Sequence, residues 1–240
     1  TVLGDTDPQT LNAINNMAVT YQETGQPELA LPYSEDAYNL AVKIYGREHH
    51  RAVRSAVNHS NTLRQIGRIE EARRYATTAY ETALASLPRS HAATDQALTE
   101  MGQIELASNN FPHAEALFRE LLDIEFEHLG ETHMYTIGTQ LKLANAVAEQ
   151  GRIEEATDLV AEAVGNMHAT QGADHHETML AEKQLAGLYM RAERFEDARR
   201  ILLTRVLSGL TRHLGADSRQ VLEVDEMLAE IDTQIKQRDS

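Results

Sequence analysis

Thr10-Leu11-Asn12-Ala13-Ile14-Asn15-Asn16-Met17-Ala18 puts apolar side chains at Leu11, Ile14, Met17 and Ala18, the spacing of one helix face. Asp7-Pro8 upstream supplies an N-cap and a proline for the first helical position, and Tyr21 extends the face before Gly25 stops it. A second periodic run starts near Pro27 and carries Ala30, Tyr33, Ala37, Leu40, Ala41 and Ile44 up to Gly46. This helix pair is written repeatedly. Ala30, Ala72, Ala114, Ala156 and Ala198 stand 42 residues apart, as do Gly4, Gly46, Pro88, Gly130 and Gly172. The turn inside each pair returns as Gly67 before Ile69, Asn109-Asn110 before Phe111, Gly151 before Ile153, and Glu193-Arg194 before Phe195. Gly215 opens a last, incomplete copy one residue late.

Units of this length bury their apolar faces only against their neighbours, so the spacing predicts an all-α solenoid. Its five helix-turn-helix units fall at about 4–45, 46–87, 88–129, 130–171 and 172–214, in a single array over residues 1–240. Val221, Val224, Leu228, Ile231 and Ile235 form one apolar stripe, which predicts a C-terminal capping helix at about 216–237, with a polar tail from Lys236 to Ser240. Small residues recur where helices must approach closely: Ala18, Ser60, Gly102, Ala144 and Ala186 on the first helix of each unit, and the Ala30 series on the second. Thr1 begins almost on the first unit without an initiator methionine or a preceding cap, which points to a segment of a longer chain.

Composition excludes several classes of function. A net charge of −15 disfavours nucleic acid and anionic membrane surfaces, both of which need clustered Lys and Arg. No apolar run approaches the roughly 20 residues of a membrane span, and no signal pattern opens the chain, so a cytoplasmic location is expected. The absence of cysteine rules out disulfides and thiolate metal sites.

The 11 histidines invite a metal or catalytic reading, but their placement opposes it. His49, His91, His133 and His175 occupy one position in successive units, matched by Asp7 in the first, as residues that start helices do. His-Glu-x-x-His, the phosphate-binding glycine motifs and the Gly-x-Ser-x-Gly elbow are absent. Glu70-Glu71 and Glu154-Glu155 fall in first helical turns, where negative charge favours the dipole. No enzyme, no cofactor and no metal is expected. A hydrolase built on His175-His176-Glu177 is the weakest of three readings.

Thr10 to Ala18 and the five registered units resemble the tetratricopeptide repeat family in its long, kinesin-light-chain-like variety. The likeness covers residues from about 4 to 213, with departures in the third unit at Pro88, Asp95 and Glu105. It implies a right-handed superhelix whose first helices line a concave groove, and a protein or peptide partner lying there. Carried onto this chain, the groove residues include Asn12, Asn15, Asn16, Arg54, Asn58, Asn61, Arg64, Gln103, Lys142, Asn145, Lys183 and Gln184. Amides can donate to and accept from a peptide backbone. Across the stripe five bases, Arg54, Arg64, Lys142, Lys183 and Arg191, outnumber the acids Glu23, Glu100 and Glu149, which favours an acidic segment as ligand. The reading is therefore a non-enzymatic peptide-binding module. The alternative is the regulatory or oligomerising arm of a larger signalling protein. Self-association through Leu202, Leu203, Val206 and Leu210 is a separate expectation, although cover by the terminal helix also accounts for them.

Overall fold

The computed structural model describes residues 7–238; Gly4 and the last two residues of the polar tail lie outside them. Every regular element among the described residues is helical: α1 Pro8–Glu23, α2 Pro27–Tyr45, α3 His50–Gln65, α4 Ile69–Ser86, α5 Ala92–Ala107, α6 Phe111–His128, α7 Met134–Ala148, α8 Ile153–Thr170, α9 His176–Arg191, α10 Phe195–Ile201, a π-helical turn Leu202–Val206, α11 Leu207–Leu214 and α12 Arg219–Arg238. The chain forms two compact units, Thr1–Ile124 and Glu125–Ser240. In the first, each helix from α1 to α5 packs on the next, and α3 also touches α1 and α5. In the second, α7 packs on α8, α8 on α9, and α9 on α10, while α12 covers α10 and α11.

Histidine does the capping that aspartate does in the first repeat. Asp7 Oδ1 accepts the Gln9 N–H at 2.7 Å. The Nδ1 atoms of His49, His91, His133 and His175 accept the N–H two residues on, at 3.2, 3.0, 3.3 and 3.3 Å. Each satisfies one of the donors that a helix leaves unpaired at its start.

The turn between paired helices requires a left-handed residue. Gly25, Gly67 and Gly151 take φ of +71°, +80° and +82°, but Asn109 and Glu193 hold the same place at 58° and 56°. A glutamate there carries a steric cost that glycine avoids. Glu193→Gly is expected to raise stability by about 1 kcal/mol in urea denaturation; a loss would show that Glu193 is held by something other than backbone geometry.

Close packing recurs at one position of each helix pair. The small residue of the first helix and the residue 16 positions later are both buried in every repeat: Ala18 and Ser34, Ser60 and Ala76, Gly102 and Phe118, Ala144 and Val160, Ala186 and Leu202. The largest side chain, Phe118, stands opposite the glycine. A Cβ on Gly102 would lie 2.5 Å from Phe118 Cε1.

The late glycine has a structural cause. In the second and fourth repeats the buried positions of the second helix step by four, three and four: Ala72, Ala76, Ala79, Ala83, and Ala156, Val160, Ala163, Met167. In the fifth they run Ala198, Leu202, Val206, Leu210, with every step four. One residue has been added, and the π-turn accommodates it through the Leu207 N–H donating to the Leu202 carbonyl. Leu202, Val206 and Leu210 are thereby fully buried with Val221, Val224 and Ile231 of α12, while Leu203 stays 43% exposed.

His59 is a titratable side chain buried in the core of the first unit. It is 3% exposed, its Nδ1 is 2.8 Å from Ser34 Oγ, and its ring meets Tyr75 edge-on at 4.6 Å. Desolvation lowers its pKa from the usual 6.5, against the opposing pull of Glu35 and Glu71. The unfolded chain therefore binds the proton more readily, so this contribution is full above pH 6.5 and is lost as pH falls through the lowered folded value. The corresponding residues of the first and third repeats are Met17 and Met101. His59→Met is expected to flatten the fall in urea stability between about pH 7 and pH 5; an unchanged slope would assign the dependence to other groups.

Candidate peptide-binding surface

The candidate residues stand on α1, α3 and α5 in the first unit and on α7 and α9 in the second. Asn12, Asn16 and Arg54 are exposed, and Asn58, Asn61, Arg64 and Gln103 are half-buried. Asn15 is different. It is 7% exposed and its Nδ2 reaches Ser55 Oγ at 3.4 Å, so it belongs to the seam between α1 and α3.

Much of the expected ligand-binding capacity is used to join one first helix to the next. Gln22 Nε2 donates to the Asn58 carbonyl at 3.0 Å and also to Thr62 Oγ1. Within α3, Gln65 donates to Asn61 Oδ1 at 2.6 Å. Arg64 meets both oxygens of Glu100 at 3.2 and 3.3 Å, and Ser60 Oγ donates to the same carboxylate at 3.1 Å. Glu100 is only 3% exposed, and desolvation raises its pKa although Arg64, Ser60 and Asn61 pull it down.

The second unit is committed more fully. Gln184 Nε2 bonds Asn145 Oδ1 at 2.8 Å and the Leu141 carbonyl at 3.1 Å. Lys183 pairs with Glu223 of α12 at 2.6 Å, and Arg191 with Glu149 at 2.7 Å. Lys142 turns back to its own helix, donating to the Gly138 carbonyl at 3.1 Å; desolvation lowers its pKa, with Glu125 opposing. Of the five bases expected to attract an acidic ligand, three are in ion pairs and Lys142 is folded away. Arg54 alone of the five has no partner among the described residues.

Asn12, Asn16, Arg54, Asn58 and Gln103 thus keep side-chain donors and acceptors free of the protein among the described residues, all of them in the first unit. Sequence reasoning missed the partners of the others. The signal was present as spacing: Asn15 to Ser55, Gln22 to Thr62, Ser60 to Glu100 and Lys183 to Glu223 are each 40 residues apart. No group of three or more His, Asp or Glu among the described residues could hold a metal, and no described helix is long and apolar enough to cross a membrane.

The helix pairs, their 42-residue spacing and the alternating turns define a tetratricopeptide repeat fold, and a profile of that family matches residues 9–85. The repeats are of the long kind similar to those of kinesin light chain. A Podosopora anserina protein described as a kinesin light chain with nearly identical TPR-like repeats has 20% identity and a TM-score of 0.72, over 86% of this chain and 97% of that one. BtubC (BKLC) from P. vanneervenii has 14% identity and a TM-score of 0.70, over 93% and 85%. A Rap protein complexed with Competence and Sporulation Factor has 13% identity and a TM-score of 0.58, over 96% and 67%. A search of curated proteins gave no match.

Proposed function

We propose that the protein is a non-enzymatic interaction module that binds an extended peptide segment of a partner along α1, α3 and α5. The observation that carries this reading is the set of amides Asn12, Asn16, Asn58 and Gln103 that, with Arg54, have no side-chain partner among the described residues. Amides at successive helices satisfy the donors and acceptors of an extended backbone without reading its side chains. The Rap complex supports the reading, since that protein of similar fold holds a factor. The preference for an acidic ligand narrows to the place where Arg54 stands, because the other bases of the stripe are already occupied.

Replacing Asn16, Asn58 and Arg54 together by Ala is expected to abolish partner capture while leaving the far-ultraviolet helical signal unchanged. Each lost hydrogen bond to an otherwise desolvated ligand weakens binding by about 1 kcal/mol, and the charged one by more. Capture that survives the triple substitution would sink the proposal.

A further inference from the structure

The start of α3 gathers bases that have no counter-ion among the described residues. His49, His50, Arg51 and Arg54 come from α3 and its cap, and His91 comes from the cap of α5. The imidazoles form a chain, His49 to His50 at 4.3 Å and His50 to His91 at 5.3 Å, and His49 stacks on Tyr45 at 4.6 Å. The Arg51 guanidinium lies over the Tyr45 ring at 5.3 Å, and its Nη1 is closed off from solvent with no acceptor. Neither Arg51 nor Arg54 makes an ion pair among the described residues; the first turn of α3 carries no acid, and that of α5 carries Asp95, which is not ion-paired with either arginine. Glu48, exposed in the preceding loop, makes no ion pair with them. In a chain of net charge −15 an uncompensated positive cluster stands out.

His50, Arg54 and Asn58 follow one another at four-residue spacing, so they share one face of α3, continuous with the free amides of the peptide surface. The Arg51 and Arg54 guanidiniums, with the His50 imidazole as a group that can take up a proton, stand at a helix start and suit a compact dianion with several acceptor oxygens. We propose that this cluster is a phosphate-binding site, which receives the phosphorylated side chain of the peptide laid along α1, α3 and α5. The peptide part rests on the reading above; the phosphate part does not. Desolvation, then His49, His91, Arg51 and Arg54, keep the His50 imidazole below its usual pKa. A bound dianion reverses that balance, so binding takes up a proton and tightens as pH falls.

Isothermal titration of the full chain would use three probes: inorganic phosphate, a short alanine-serine peptide carrying one phosphoserine, and its unphosphorylated counterpart. The phosphopeptide is expected to bind about tenfold or more tightly than its counterpart, and Arg51→Gln with Arg54→Gln to remove that preference. Arg54 is exposed, so Arg54→Gln alone reads the site if the double variant unfolds. The preference should grow between about pH 8 and pH 6, and His50→Gln should flatten that growth. Inorganic phosphate binding as tightly as the phosphopeptide, with the same arginine dependence, supports the site and assigns it to free phosphate. Absence of phosphate binding, or a preference that survives the arginine substitutions, overturns it. Partner capture that needs Asn16 and Asn58 but ignores phosphate would overturn this site and leave the peptide surface standing.

Discussion

Arg73→Leu is expected to cost about 3–5 kcal/mol of stability, because it strands a buried carboxylate. Glu105 is 1% exposed on α5, where it receives Arg73 from α4 and accepts from Asn110 Nδ2 at 2.6 Å, with His113 Nδ1 at 3.5 Å. Arg73 continues the network to Ser108 Oγ at 2.7 Å. Removing the guanidinium leaves a charge out of water with one amide and a distant imidazole, whereas removing both charges leaves nothing to solvate. The double variant Arg73→Leu with Glu105→Leu is therefore expected to return to within about 1 kcal/mol of the parent. The repeats themselves supply the precedent: Leu63 and Val147 hold the place of Glu105 in the second and fourth copies, buried at 1% and 0%, and Leu31 holds the place of Arg73 in the first. Urea denaturation of the parent, single and double variants measures this. A double variant no more stable than Arg73→Leu would mean that the network, not the stranded charge, sets the cost.

Phe118→Ala is expected to lose a comparable amount, about 3–5 kcal/mol, since the ring is fully buried and fills the space above Gly102. The reciprocal change is more instructive. Gly102→Ala gains about 1 kcal/mol of helix propensity but drives a Cβ into the ring, at a cost of about 1–3 kcal/mol, so the net effect is a loss. Adding Phe118→Leu to Gly102→Ala recreates the Ala186 and Leu202 pair of the fifth repeat and is expected to recover stability. Thermal unfolding of the set decides it; if the added leucine lowers stability further, the two positions are not coupled through volume.

How much of this was legible beforehand differs by residue. Glu105 was visible as a departure from Tyr21, yet nothing in the linear pattern named Arg73 as its partner, because the two meet only when α4 packs on α5. Gly102 and the Ala30 series were recognisable as close-approach positions, but Phe118 as the complement of Gly102 requires the facing helix. The one-residue delay at Gly215 was written in the sequence, and so was the four-four-four step from Ala198 to Leu210. Its resolution as a π-turn depends on keeping Leu202, Val206 and Leu210 inward against α12.

The sequence by itself determined the all-helical fold, the order of helices, the capping histidines and the turns, because each is set by contacts within a few residues or by a period that stacking imposes on every copy. Only the tertiary structure decided which of the candidate side chains remain available. Stacking brings residues 40 apart into contact, so Asn15, Gln22, Ser60 and Lys183 find protein partners across adjacent helices. A polar stripe read one helix at a time treats all its amides and bases as free. Their hydrogen-bonding capacity is finite, and neighbouring helices take most of it first, which leaves Asn12, Asn16, Arg54, Asn58 and Gln103.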